Sequence, residues 1–185
     1  MYIKKAQSGR SMIEMLGVLA IVGILSAGGI AGYSMAMQSY KTSALTEKVN
    51  LIAQQARVLY NGIYDVAAAN TDGTTADATK MGGALIKAGL ITDLNNPFGS
   101  FLEVAGTADP SKTFTVKTSA ANVPAEACIK LLRTDWGTTG VFTSVQVTGK
   151  TALTSGGATP TSPADAATAI SQCGGGNKQI TWTFK

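Results

Sequence analysis

Residues 10–37 read RSMIEMLGVLAIVGILSAGGIAGYSMAM, and from residue 15 to residue 37 they carry no charge. In a helix rising about 1.5 Å per residue, those positions reach about 34 Å. That exceeds the roughly 30 Å hydrocarbon core of a bilayer. A core helix of a soluble protein is the competing reading, but the run is longer and more uniformly apolar than such helices are. Small residues recur along it: Gly17, Ala20, Gly23, Ala27, Gly28, Gly29, Ala31 and Gly32. They let helix backbones approach closely in apolar surroundings, and Gly28 with Gly32 forms a GxxxG pair. Each glycine also weakens a helix by about 1 kcal/mol relative to alanine. Gly28–Gly29 is therefore where bending or unwinding is expected.

Lys4, Lys5 and Arg10 precede the run, and Lys41 is the first charge after it. The positive-inside tendency places the N-terminus in the cytoplasm and the residues after about 38 on the far side of the membrane. An ordinary secretory signal has an apolar stretch of about 7–15 residues and a small-residue cleavage site. Here the stretch is longer, a helical pattern continues out of it, and Glu14 interrupts its beginning.

Beyond residue 37 the pattern becomes amphipathic. Leu45, Val49, Ile52, Ala56, Leu59, Ile63 and Val66 step by fours and threes along one helical face. Lys41, Lys48, Asn50, Gln54, Arg57 and Asn61 fall off it. No proline occurs from residue 1 to residue 94. Both patterns therefore fit one continuous helix ending near Asp65.

The formal charge is +4, of which Lys4 and Lys5 supply two. Without residues 1–9 about +2 remains, too little to indicate a nucleic-acid partner. There is no histidine, so Ser-His and Cys-His nucleophile pairs are excluded. No calcium-loop spacing is present, and no cofactor or metal is expected. The expectation is a non-enzyme. The carboxylates Asp65, Asp72, Asp77, Asp93 and Glu103 are read as solvated loop residues, and Trp136 as a core or edge aromatic. Cys128 and Cys173 are the only cysteines. On the far side of the membrane they can oxidise to each other, closing a long loop at a gain of about 4 kcal/mol. Two buried thiols are the alternative.

Ser8-Gly9-Arg10-Ser11-Met12-Ile13-Glu14 resembles the type IV prepilin cleavage motif. The resemblance implies a basic leader ending in glycine, a membrane aspartyl peptidase that cuts after it, and methylation of the new N-terminus. It thus implies processing at Gly9–Arg10, N-methylation of Arg10, and Glu14 as the fifth mature residue. Arg10 departs from the phenylalanine, methionine or leucine more usual at that position, and it can pair with Glu14 four residues on. The residues give Glu14 a role of their own. A carboxylate near the start of a membrane helix is costly to desolvate and needs a partner. In a filament, a neighbouring subunit's α-amino group supplies one, and the pair sets axial register. The alternative is a solvated carboxylate at headgroup level, near the helix's positive end.

The remaining residues read as an α+β head. A loop is expected over 67–80, a short helix over 80–87 stopped by Gly89, and a turn at 96–99. Strands are expected over 101–105, 113–117, 141–147 and 179–185. The third should point Val141, Val145 and Val147 inward. A helix begins near Pro124. Residues 148–161 form a loop. A further helix starts near 162–165 with Ile170 and Cys173 on one side, and residues 174–176 end it. Residues 96–99, 127–128, 163–167 with Cys173, and 181–184 resemble type IVb pilins of the bundle-forming and plasmid-conjugation kind, although the nine-residue leader is short for that subclass. The resulting organisation is a leader at 1–9, a membrane and filament-core half-helix at 10–37, an amphipathic half-helix at 38–66, and a globular head at 67–185 closed by a disulfide.

What the resemblance implies is the major subunit of a type IV pilus. Such a subunit is held in the bacterial inner membrane with its head in the periplasm. It then joins identical subunits in an extracellular filament for adhesion, aggregation or conjugation. Its partners would be those subunits, the prepilin peptidase, the assembly machinery and the membrane. Two alternatives stand: a minor pilin or secretion pseudopilin, and a non-polymerising signal-anchored periplasmic module.

Overall fold

A computed structural model describes residues 12–62, 64, 68–107, 112–137, 140–156 and 160–185. The elements, in order, are α1 (Met12–Tyr60), α2 (Met81–Lys87), β1 (Leu102–Gly106), β2 (Phe114–Thr118), α3 (Ala125–Arg133), β3 (Phe142–Val147), β4 (Leu153–Thr154), α4 (Ala166–Cys173) and β5 (Ile180–Phe184). The chain divides into two units, Met1–Ser39 and Tyr40–Lys185. The fold is the α+β arrangement expected: a long N-terminal helix, an antiparallel sheet and a disulfide in the C-terminal region.

In the second unit the five strands run in the order β1-β2-β5-β3-β4, every named pair antiparallel. The last strand in sequence is therefore the central one. Its alternation of Ile180, Trp182 and Phe184 with threonines buries the apolar side chains and leaves the threonines at the partly exposed face. Register carries the pattern to the neighbours: Val116 and Val145 both oppose Trp182, and Phe114 and Phe142 both oppose Phe184. Phe184 packs 5.6 Å from Phe114 and 5.7 Å from Phe142, centroid to centroid. Trp136 is buried, donates from Nε1 to Leu131 O at 2.9 Å, and lies 5.4 Å from Trp182. From α1 the core takes Leu45, Val49, Ile52, Ala53 and Ala56.

Five local expectations are corrected. The described helix ends at Tyr60, short of Asp65. Asn61 and Gly62 both have positive φ, 45° and 81°, a left-handed pair that stops a helix and that asparagine and glycine adopt most cheaply. Ile63, Asp65 and Val66 lie outside the described residues. Leu59, expected on the buried stripe, is exposed. In β3 the inward residue is Phe142, and Val141 is exposed. A shift of pairing between Phe142 and Ser144 reverses the alternation there. The loop expected at 148–161 contains β4, which buries Leu153 against the core. On α4 the buried face is Ala169, Gln172 and Cys173. The disulfide sets that phase, and Ile170 turns out to solvent at 57% exposure.

The edge strand β1 is closed by a side chain. The Asn70 amide donates to Leu102 O at 2.9 Å and accepts from Val104 N at 2.8 Å, as a neighbouring strand would. A Cβ at Gly82 would come within 2.5 Å of Asn70 Oδ1, so glycine there leaves room for the plug. Asn70→Ala would strand two buried backbone groups at about 1–3 kcal/mol each. Urea unfolding of the head should show that loss as a lower midpoint at unchanged slope.

Candidate functional site

In the first unit, residues 12–36 are exposed throughout. Met12, Ile13, Leu16, Leu19, Ile21, Ile24, Leu25 and Ile30 all show more than half their surface. Among the described residues, α1 is the one helix long and apolar enough to cross a membrane. The backbone and two serines of its apolar half are served internally. Backbone groups pair within the helix, Ser26 Oγ donates to Val22 O at 2.7 Å, and Ser34 Oγ donates to Ala31 O at 2.9 Å. This is the condition for residing in hydrocarbon. An unbroken apolar surface of this length is not stable in water and marks a membrane or partner surface.

Glu14 sits in the first turn of α1, exposed, in a shallow groove with Gly17, Val18 and Ile21. Position 17 is one turn on and carries no side chain beside the carboxylate. Gly28, Gly29 and Gly32 lie in continuous helix. A Cβ at Gly17, Gly23, Gly28, Gly29 or Gly32 would meet nothing within 4 Å. Packing among the described residues therefore does not require these glycines, although each costs about 1 kcal/mol of helix stability. Close approach of another helix is a reason to keep them. Gly9 and Arg10 lie outside the described residues.

The second unit is braced from the helix. Cys128 of α3 and Cys173 of α4 form a disulfide with Cα atoms 5.8 Å apart, both fully buried. Asp165 caps α4, accepting from Thr168 N at 2.7 Å. Arg57 donates from Nε to Lys185 O and from Nη2 to Val141 O, clasping the outer end of the central strand. Tyr64, beside it, has its pKa raised, because burial outweighs the guanidinium's opposing pull. Lys48 donates to Asp93 Oδ1 at 2.5 Å and to Asn95 O at 3.0 Å, tying α1 to the turn before β1. Asp72 and Asp77 close turns through Thr74, Thr75 and Thr79, and Glu103 pairs with Lys117 at 3.3 Å. The reading of Asp72, Asp77, Asp93 and Glu103 as merely solvated is thereby corrected. Their signal was an Asp-x-Thr spacing for two of them. For the other two it was pairing with a residue distant in sequence, which a linear pattern does not display.

The Lys48 hydrogen bond holds the Asp93 carboxyl below its ordinary range. A carboxyl whose folded pKa is depressed adds stability above its unfolded value of about 3.9. That stability is lost as pH falls through the folded value. Asp93→Asn should therefore be less stable than the parent at pH 7, and the gap should close below about pH 4. Thermal melts of the pair at both pH values test this.

Among the described residues no group of three His, Cys, Asp or Glu is placed to hold a metal ion. What the geometry offers is association through an uncovered apolar helix. Comparison with known proteins agrees. The family model described as "PilS N terminal" matches residues 39–185. The chain is 28% identical, over 98% of its length and 96% of the relative's, to the major structural subunit of bundle-forming pilus from Escherichia coli O127:H6 (strain E2348/69 / EPEC). It shows the same identity and coverage with the subunit of that name from Escherichia coli O111:H-. Both relatives are structural subunits.

Proposed function

The chain belongs to the PilS family and is a type IV pilin, and from that premise we propose that it is the major structural subunit of a type IV pilus. It enters the bacterial inner membrane through residues 10–37, N-terminus cytoplasmic and head periplasmic. A prepilin peptidase cuts after Gly9, Arg10 is N-methylated, and the assembly machinery draws the mature chain into an extracellular filament of identical subunits. The observation that carries this reading is the exposed apolar half of α1, interrupted only by Glu14 near its start.

Two features support how that half-helix would work. Glu14 lines a shallow groove with Gly17, in which a neighbour's α-amino group can neutralise it and set the axial register. Gly28–Gly29 is the weakest stretch of the helix by propensity, and is the place for it to unwind within the polymer. The part of α1 from residue 40 to Tyr60 is the spine on which the head is built. Adhesion, aggregation or conjugation would follow from the filament's surface.

Shearing cells and weighing the released protein tests the proposal. A major subunit dominates that fraction by mass. A trace quantity beside another abundant pilin would make this chain a minor pilin. Its absence from the fraction, with all of it left in the membrane, would make it a signal-anchored module.

A further inference from the structure

The end of α1 carries a chemical feature that its role as a helix stop does not use. Asn61 is the chain's one asparagine followed by glycine. It is exposed, and it and Gly62 both have positive φ. Among the described residues, nothing lies within 4 Å of where a side chain at Gly62 would stand, so the attacking nitrogen belongs to a residue with no side chain and no close neighbour there. Other asparagines of the head are held. Asn70 is buried with its amide engaged by Asp72 O, Leu102 O and Val104 N. Asn122 is fastened to Phe98 O and Ser100 Oγ.

We propose that Asn61 is a site of spontaneous self-modification, converting to aspartate and isoaspartate through a cyclic imide with Gly62. The Gly62 backbone nitrogen gives up its proton and attacks Asn61 Cγ. The bond from Cγ to the side-chain nitrogen breaks, and that nitrogen leaves with the proton as ammonia. Water then opens the five-membered imide. Attack at Cγ restores the original backbone with an aspartate side chain. Attack at the Asn61 main-chain carbonyl carbon leaves the chain running through Cγ, as isoaspartate. One water enters and one ammonia leaves, with no change of oxidation state.

The product matters because of where it sits. Either form places a negative charge at the carboxyl end of α1, the end already negative by the helix dipole. It also stands one turn beyond Arg57, whose guanidinium clasps Val141 O and Lys185 O. A carboxylate there competes for the clasp, so conversion loosens the end of the central strand as the protein ages.

The test is peptide mapping of the full chain in detergent, aged at 37 °C and mild alkaline pH beside a synthetic peptide of residues 59–64. Asn61 and Asn70 lie in one tryptic fragment, residues 58–80, so Asn70 is the internal control. The expected result is a gain of about 1 Da at position 61. It should proceed on the peptide's timescale, faster at higher pH, with an isoaspartate fraction and Asn70 unchanged. Asn61→Gln should abolish it. An intact Asn61 when the peptide has converted, or equal conversion of Asn70, overturns the proposal. Asn61→Asp installs one product directly and should lower the melting temperature by about 1–3 °C. An unchanged melt would remove the loosening.

Discussion

Glu14→Ala is expected to reduce sheared filament about tenfold or more while the chain still accumulates in the inner membrane with a folded head. The cause is charge. Near the middle of a bilayer an acidic residue costs about 2.5–3.5 kcal/mol to insert, with a smaller cost nearer the interface. A chain that carries one at the start of an apolar run must recover that cost somewhere. In the proposed filament the recovery is a neighbour's α-amino group, and the alanine variant leaves that cation without its partner. Breaking one side of a buried pair typically costs 3–5 kcal/mol, which is more than a factor of one hundred in a subunit's equilibrium with the filament. Glu14→Gln keeps the shape and loses the charge, so it should fail as well. Normal yield from either variant, at normal membrane level, would remove Glu14 from the register role.

Replacing both Cys128 and Cys173 by alanine should destabilise the head by about 2–5 kcal/mol. For a domain of this size that is a fall of roughly 5–15 °C in melting temperature. Both sulfurs are fully buried, and they join α3 to α4. Helix α4 spans Ala166–Cys173, far below the length at which a helix is stable alone. Apart from the Asp165 cap, its position rests on Ala169, Gln172 and Cys173. The disulfide is therefore the strongest tie fixing which side of α4 faces the core. Wild-type protein melted in a strong reductant should approach the variant's curve. Equal melts of the oxidised wild type and the double variant would show that packing alone holds α4.

Patterns of one period were legible from the residues alone. A long apolar run, a four-three stripe and the alternation of residues 180–184 each report a single face. The strands β1, β2 and β5 followed from them within a residue or two, and so did the start of α1 but not its end. Features depending on two distant segments were not legible. The shifted pairing that turns Phe142 inward arises between β3 and β5. The exposure of Ile170 follows from the phase the disulfide imposes. Asn70 reads as one polar loop residue among several until Leu102 and Val104 are placed beside it. Arg57 was legible as off the apolar stripe, but its acceptors lie at residues 141 and 185. The end of α1 was legible in principle, since Asn61-Gly62 is a local stop. The regular spacing that continues through Ile63 and Val66 masked it.

For the candidate assembly site the balance is reversed. Its features are consecutive in sequence: Gly9, Arg10, Glu14, then uncharged residues to 37. What the three-dimensional arrangement adds is that residues 12–36 are exposed and that, among the described residues, a Cβ at any of their glycines would meet nothing within 4 Å. Both point outward, to a partner helix.

The central claim is that this chain becomes a filament subunit by losing residues 1–9, and the intact mass of the subunit recovered from sheared filaments tests it most directly. The expected mass is that of residues 10–185 with one added methyl group and two hydrogens fewer for the disulfide. A mass that begins at Met1, or a chain cut beyond Ser26 that has lost the apolar helix, would contradict it.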